Sequence, residues 1–220
     1  MAPRAGRWVG PLNAPRGPHV VVLGGPNGAG KSTVAPRLLR DVLGVTAFVN
    51  ADEIARGLSG FAPEAAAIQA GRIMLERLAE LTRERATFAF ESTLAGLGMR
   101  RVLLRCREAG YQVHLVYLWL PSPELALRRV AQRVVAGGHD IPERDVRRRW
   151  ARSLVNFFDA YVSLATTWRV YDASEPRTAP AVASGGVGRA TVVADATMWT
   201  TILAQAETIR RGTNPGEPSP

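Results

Sequence analysis

Ten residues near the start of the chain, Gly24-Gly25-Pro26-Asn27-Gly28-Ala29-Gly30-Lys31-Ser32-Thr33, have the types and spacing to hold a polyphosphate. From Gly25 to Ser32 they fit the pattern G-x-x-x-x-G-K-[ST]. Glycines at this spacing let the backbone fold back so that successive N–H groups point at an anion, and a helix starting beyond them adds its positive end. In such a loop Lys31 reaches the β- and γ-phosphates, and the Ser32 hydroxyl ligates the Mg²⁺ that bridges them. Gly25, Pro26, Asn27, Gly28, Ala29, Gly30, Lys31, Ser32 and Thr33 are therefore the expected contacts of ATP. Lys31 is the only lysine among 28 basic residues. A planar guanidinium does not replace a compact ammonium between phosphate oxygens without changing the geometry.

Two further polar clusters could work on that phosphate. Asn50-Ala51-Asp52-Glu53-Ile54 and Glu91-Ser92-Thr93 each follow a short apolar run, Ala47–Val49 and Thr87–Phe90. Each therefore falls at the C-terminal end of a strand, the side of an open α/β sheet where ligands bind. Asp52 is open to two readings, a carboxylate in the site or a cap on the donors of the next helix. Glu91 is likewise either a site carboxylate or a strand-end group facing solvent or an arginine. A third cluster is basic: Arg128, Arg129 and Arg133, then Gly137-Gly138-His139, then Arg144, Arg147, Arg148, Arg149 and Arg152. Two arginine-bearing helices joined by a glycine hinge suit a lid that excludes water and brings positive charge over a γ-phosphate.

These residues need a sheet to hold them. His19–Leu23 is continuously apolar, as expected of a parallel strand covered on both faces. Ser32–Leu43 reads as the first helix. In residues 64–85, Ile68, Ile73, Leu75, Leu78 and Leu81 stand at spacings that favour a long amphipathic helix. Further helices are expected over 98–109, 124–136, 142–160 and 197–211, and further strands over 113–120 and 168–171. Val182 and Val192-Val193 suggest a hairpin around Gly185-Gly186. Alternating strands and helices predict an α/β fold with a mostly parallel sheet and right-handed crossovers. The segment 172–180 is a candidate adenine contact.

With 220 residues, 46% hydrophobic and 21% charged, the chain suits one domain over 18–211, with the lid at about 124–160. Residues 1–17 and 212–220 read as a flexible arm, in which Trp8 could pack back, and a disordered tail. There is neither a membrane-length apolar run nor a secretory signal, so a cytoplasmic protein is expected. A net charge of +9 points to acidic partners. His114 is expected as a hydrogen-bonded core residue and Cys106 as a packed thiol; no metal-type His/Cys cluster stands out.

The ordered set of motifs resembles the zeta-toxin-like P-loop kinases. The set is Gly25–Thr33, Asn50–Ile54, Phe90-Glu91-Ser92-Thr93-Leu94, and Arg133 followed by Gly137-Gly138-His139 and Ile141-Pro142-Glu143. The lid resembles a chromosomal Gly-Gly-His subgroup more than the toxin–antitoxin prototypes. The resemblance implies an ATP- and Mg²⁺-dependent kinase acting on a hydroxyl of a nucleotide sugar such as UDP-N-acetylglucosamine. It further implies Asp52 as the base, Glu91 and Thr93 as acceptor contacts, Arg133 and Arg148 as lid charges, and an antitoxin as a candidate partner. A kinase for a polynucleotide end, and an ATP-binding switch without transfer activity, stand as alternatives.

Overall fold

The computed structural model describes residues 17–60, 65–138, 140–175 and 178–213. Trp8, His139 and most of the proposed arm and tail lie outside them. Seven strands form one sheet in the order β2-β3-β1-β4-β5-β6-β7. The strands are β1 (His19–Gly24), β2 (Ala47–Val49), β3 (Phe88–Ser92), β4 (Gln112–Trp119), β5 (Thr167–Asp172), β6 (Ala181–Gly186) and β7 (Arg189–Val193). The first five are parallel, and β6 and β7 extend the sheet as an antiparallel hairpin. This is a mostly parallel α/β architecture, as the alternation of strands and helices predicts.

Strand alternation sorts the core into two layers. Val20 and Val22 of β1 share one face with Phe88, Phe90, Leu115 and Tyr117, while Val21 and Leu23 share the other with Ala89, Val116 and Leu118. Helices α3 (Ala67–Arg83), α4 (Gly98–Glu108) and α7 (Ala196–Thr213) supply residues to the first layer. Helices α1 (Lys31–Ala35) and α5 (Pro123–Val135) supply the second, while α6 (Glu143–Asn156) contributes to both. The short α2 (Ala51–Leu58) packs on α3. Among the described residues no helix is long and apolar enough to cross a membrane.

Several local expectations need correcting. The first helix is not uniform: Pro36 has no N–H to continue the ladder of α1, and Pro36–Val42 winds on as a π-helix. Helix α6 likewise ends at Asn156 and continues as a π-turn, Phe157–Tyr161. In α3 the buried stripe is Ala70, Met74, Leu78 and Leu81, whereas Ile68 and Leu75 are 76% and 44% exposed. Small Ala70 packs with Ala55 and Ala66, and close approach of α2 fixes which face turns inward. Gly185 and Gly186 belong to β6, and the turn is Val187-Gly188. A Cβ on Gly185 would stand 2.6 Å from the Trp168 ring, so that glycine serves close packing.

His114 is buried in β4 as expected, between two strands that supply partners: His19 Nδ1 of β1 lies 2.9 Å from His114 Nε2, and His114 Nδ1 lies 2.7 Å from Thr167 Oγ1 of β5. Burial first, then the nearby His19, Arg189 and Arg169, pull the His114 pKa down to about 4. Cys106 is also buried, 3.6 Å from Thr82 Oγ1.

An unfolded His114 takes a proton near pH 6.5, whereas the folded one resists until about pH 4. Stability is therefore complete above pH 6.5 and declines as pH falls towards 4, by roughly 3 kcal/mol for this group. Urea unfolding at pH 7, 5.5 and 4.5 should show the decline, and His114→Gln should flatten its upper part. An unchanged slope in the variant would assign the loss to other groups.

Candidate active site

The site forms where β1, β2 and β3 end. After Gly24 the chain passes through Gly25 and Gly28, with φ of 140° and 78°, values that L side chains rarely adopt. A Cβ on Gly25 would come 2.5 Å from the Leu118 carbonyl oxygen, and one on Gly28 would come 2.8 Å from that of Ala126. The loop is wedged between β4 and α5, and only glycine fits at its two tightest points. Asn27 is buried within it, and its Oδ1 has no partner among the described residues.

Lys31 opens α1 with 5% of its surface exposed. Its Nζ donates to Gly25 O at 2.9 Å and Pro26 O at 3.0 Å, and lies 3.6 Å from Glu91 Oε1. Burial lowers the Lys31 pKa; Glu91 and then Asp52 oppose that shift, and Arg133 adds to it. Groups from α1, β3, α2 and α5 thus share one electrostatic neighbourhood.

Glu91 Oε2 accepts from the Ser32 hydroxyl at 2.9 Å and from Asn50 Nδ2 at 3.2 Å. Register places Glu91 beside Leu23, inside β3 rather than beyond it, because β3 runs on to Ser92. Asn50 is the N-cap of α2, its side-chain oxygen accepting from Asp52 N at 2.8 Å. The capping role therefore falls to Asn50. Asp52 keeps an exposed carboxylate with no hydrogen bond or ion pair among the described residues.

Thr93 stands in the turn after β3. Its Oγ1 accepts from Ala95 N at 3.4 Å, and Ser92 Oγ accepts from Leu94 N at 3.1 Å. Leu94 is left-handed at φ 56° although fully buried. Asn156 donates to Leu94 O at 2.9 Å and the Tyr161 hydroxyl donates to Gly96 O, so α6 and its extension hold this turn.

The arginines divide. Arg133 is half-buried on α5, and Gly138 lies so close that a Cβ there would stand 2.5 Å from Arg133 Cγ. Arg148 is exposed and paired within α6 to Asp145 at 2.7 Å. It is absent from the groups acting on Lys31. Arg147 ties α6 to α5 through Glu124 at 2.7 Å and holds Glu143 at 2.8 Å. Arg149 is half-buried and has no ion-pair partner among the described residues.

Two residues of the clusters have roles that the sequence did not assign. Asn50 was visible as an Asn before a helix start, a capping signal. Arg129 lies one helical turn before Arg133, hence on the same face. It donates to Ser174 O at 2.6 Å, Ala173 O at 2.7 Å and Gly28 O at 3.4 Å, tying the phosphate loop to the start of the 172–180 segment. Pro176 and Arg177 lie outside the described residues.

The donor set suits Mg²⁺. A hydroxyl and a carboxylate 2.9 Å apart offer hard oxygens beside the loop. Among the described residues no cluster of three or more His, Cys, Asp or Glu could cage a metal alone. Mg²⁺ is ordinarily held by one or two protein oxygens together with substrate phosphates and water.

Comparison with known proteins agrees with this architecture. A family profile described as AAA domain (AAA_33) matches residues 20–157. An uncharacterised protein of Haemophilus influenzae is 32% identical over 126 residues, covering 57% of this chain and 88% of that protein. A structure from the PezAT chromosomal toxin–antitoxin system of Streptococcus pneumoniae superposes with TM-score 0.59 at 15% identity, covering 94% of this chain and 91% of that one. The AvrRxo1-ORF1:-ORF2 complex with ATP superposes with TM-score 0.65 at 19% identity, covering 86% of this chain and 64% of that one.

Glu91→Gln should weaken Mg²⁺-dependent nucleotide binding by about 10- to 100-fold, the usual cost of disturbing a metal-supporting group. Calorimetry with and without Mg²⁺ tests it: the metal-free affinity should change little. An equal loss in both arms would place Glu91 on the phosphate loop alone.

Proposed function

The chain belongs to the AAA domain family AAA_33, and from that premise we propose that it is an ATP- and Mg²⁺-dependent phosphotransferase with a small-molecule hydroxyl as acceptor. The observation that carries this is Asp52, an exposed carboxylate with no hydrogen bond or ion pair among the described residues, near enough to act on the Lys31 charge and carried on a helix that Asn50 caps.

The phosphate loop and Lys31 hold the β- and γ-phosphates, and Lys31 exchanges its carbonyl partners for phosphate oxygens. Ser32 and Glu91 would hold Mg²⁺, which would supply neutralisation of the phosphate charge. Asp52 accepts the proton of the acceptor hydroxyl as its oxygen forms a bond to the γ-phosphorus. The bond from that phosphorus to the β-γ bridging oxygen breaks, and ADP leaves. Arg133 adds positive charge over the transferring group, and Arg129 positions the loop from behind. Thr93, on the turn after β3, is the acceptor-side contact. Arg148 would act only after leaving Asp145.

The favoured acceptor is a nucleotide sugar of the UDP-N-acetylglucosamine kind. The Asn50–Ile54 and Phe90–Leu94 motifs support it, and a net charge of +9 suits any anionic acceptor. The toxin–antitoxin origin of a structural neighbour supports an antitoxin-like protein as a candidate partner.

The test is mass spectrometry of UDP-N-acetylglucosamine, other nucleotide sugars and a 5′-hydroxyl oligonucleotide after incubation with Mg-ATP. One acceptor should gain a phosphate. Asp52→Asn should bind ATP but lose transfer by a factor on the order of 10² to 10⁴. Transfer unaffected by that change would remove Asp52 as the base, and gain on the oligonucleotide alone would name a polynucleotide kinase. Arg133→Ala should lower kcat more than it raises the KM for ATP.

A further inference from the structure

The turn after β3 keeps its shape through one peptide unit. Leu94 is fully buried at φ 56°, a left-handed conformation that is uncommon for a bulky side chain. The side chain is needed there: it covers Gly24, where a Cβ would stand 2.6 Å from Leu94 Cδ1, and a glycine at 94 would leave a gap beside the phosphate loop. Such a backbone persists only where its surroundings over-determine it. Both peptide groups around Leu94 are held: Leu94 N donates to Ser92 Oγ at 3.1 Å, and Leu94 O accepts from Asn156 Nδ2 at 2.9 Å.

The Leu94 carbonyl and the Ala95 N–H belong to one planar trans peptide and point in opposite directions. Asn156 therefore fixes the direction of that N–H as well as that of the carbonyl. The N–H donates to Thr93 Oγ1 at 3.4 Å, a long bond that sets orientation more than it supplies energy. It occupies a lone pair of the Thr93 oxygen and leaves the hydroxyl hydrogen to donate elsewhere. Asn156 is itself braced from β4. One turn before it, Ser153 Oγ lies 3.0 Å from the Tyr117 hydroxyl, and immediately after it Phe157 stacks on Tyr117 at 4.5 Å. Strand β4 is two strands away from β3, so the frame that carries the amide does not depend on the turn it holds.

We propose that Asn156 is a positioning residue for the acceptor, orienting the Thr93 hydroxyl through the 94–95 peptide. The inference rests on the reading of Thr93 as the acceptor-side contact. Helix α6, which bears Arg147, Arg148 and Arg149, then also sets the group that receives the acceptor. Nucleotide binding lies off this path. Lys31 is held by the Gly25 and Pro26 carbonyls and Glu91, and Ser32 by Glu91, none of which hydrogen-bonds to the turn among the described residues.

A double-mutant cycle tests it, with UDP-N-acetylglucosamine or whichever member of the acceptor panel gains a phosphate, and with ATP affinity measured separately by calorimetry. Thr93→Val and Asn156→Ala should each raise the KM for the acceptor about 3- to 10-fold, the usual worth of one neutral hydrogen bond, and leave the Kd of ATP unchanged. The double variant should do no more than the larger single one, because both cut the same path. Leu94→Ile should act as Asn156→Ala does and Leu94→Met should act less, because the two are alike in volume and only isoleucine is branched at Cβ, which a left-handed backbone tolerates poorly. Tyr161→Phe is the control for a merely structural role: it releases Gly96 O and loosens the same turn, but leaves the 94–95 peptide held. It should lower the melting temperature without moving the acceptor KM. Additive effects in the double variant, equal rises in acceptor KM and ATP Kd in Asn156→Ala, or Tyr161→Phe matching Asn156→Ala would each overturn the proposal. Thr93→Val without effect on the acceptor KM would overturn it through its premise, and a wild type that phosphorylates no acceptor would remove the phosphotransferase reading and this inference together.

Discussion

A buried ammonium governs this molecule. Lys31 is 5% exposed, and a cation taken out of water needs oxygens around it. It finds them in the carbonyls of Gly25 and Pro26 and in the carboxylate of Glu91. The carbonyls are within reach because the loop takes glycine-only backbone geometry at Gly25 and Gly28, and Glu91 is within reach because β3 is hydrogen-bonded directly beside β1. Local chain geometry and strand order are both required, and either one alone would leave the charge short of partners.

Glu91 and Asn50 carry that constraint across the site. Glu91 spans the lysine and the Ser32 hydroxyl, the two groups expected to meet phosphate and metal. Asn50 donates to Glu91 through its amide and accepts from Asp52 N through its carbonyl. One asparagine therefore fixes the spacing between Glu91 and the start of the helix that carries Asp52. Around them the arginines are graded: Arg129 bonds to backbone carbonyls, Arg147 clamps two helices together, and Arg133 lies close enough to influence Lys31. Charges in the same basic run thus have distinct mechanical and electrostatic work.

The sheet has two characters. Its parallel strands lie between helical layers, and β1 and most of β4 are buried. This is why a His19–His114 pair can lie across the neighbouring strands β1 and β4 with burial lowering both pKa values. Beyond β5 the antiparallel hairpin runs out from under the helices, and exposure rises from β6 to β7. The inner strands set the position of the candidate site residues, while the outer strand β7 is exposed along its length.

The phosphate loop, the alternation of strands and helices and the three site-bearing stretches are all legible in the amino-acid order. Each is a short-range pattern, since glycine spacing, apolar runs and strand-end polar residues need only neighbours along the chain. The phase of α3 was not legible, because Ile68 and Leu75 fit a helical period as well as Ala70 and Met74 do, and packing of α2 decides which face turns inward. Nor was the division between Asn50 as cap and Asp52 as free carboxylate, which depends on one hydrogen bond. The order β2-β3-β1 set Glu91 against Lys31, and the packing of α5 set Arg129 on the loop. By itself the sequence determined which chemistry the chain could hold. The tertiary structure decided which groups meet, because burial and long-range pairing select one partner among many that local spacing allows.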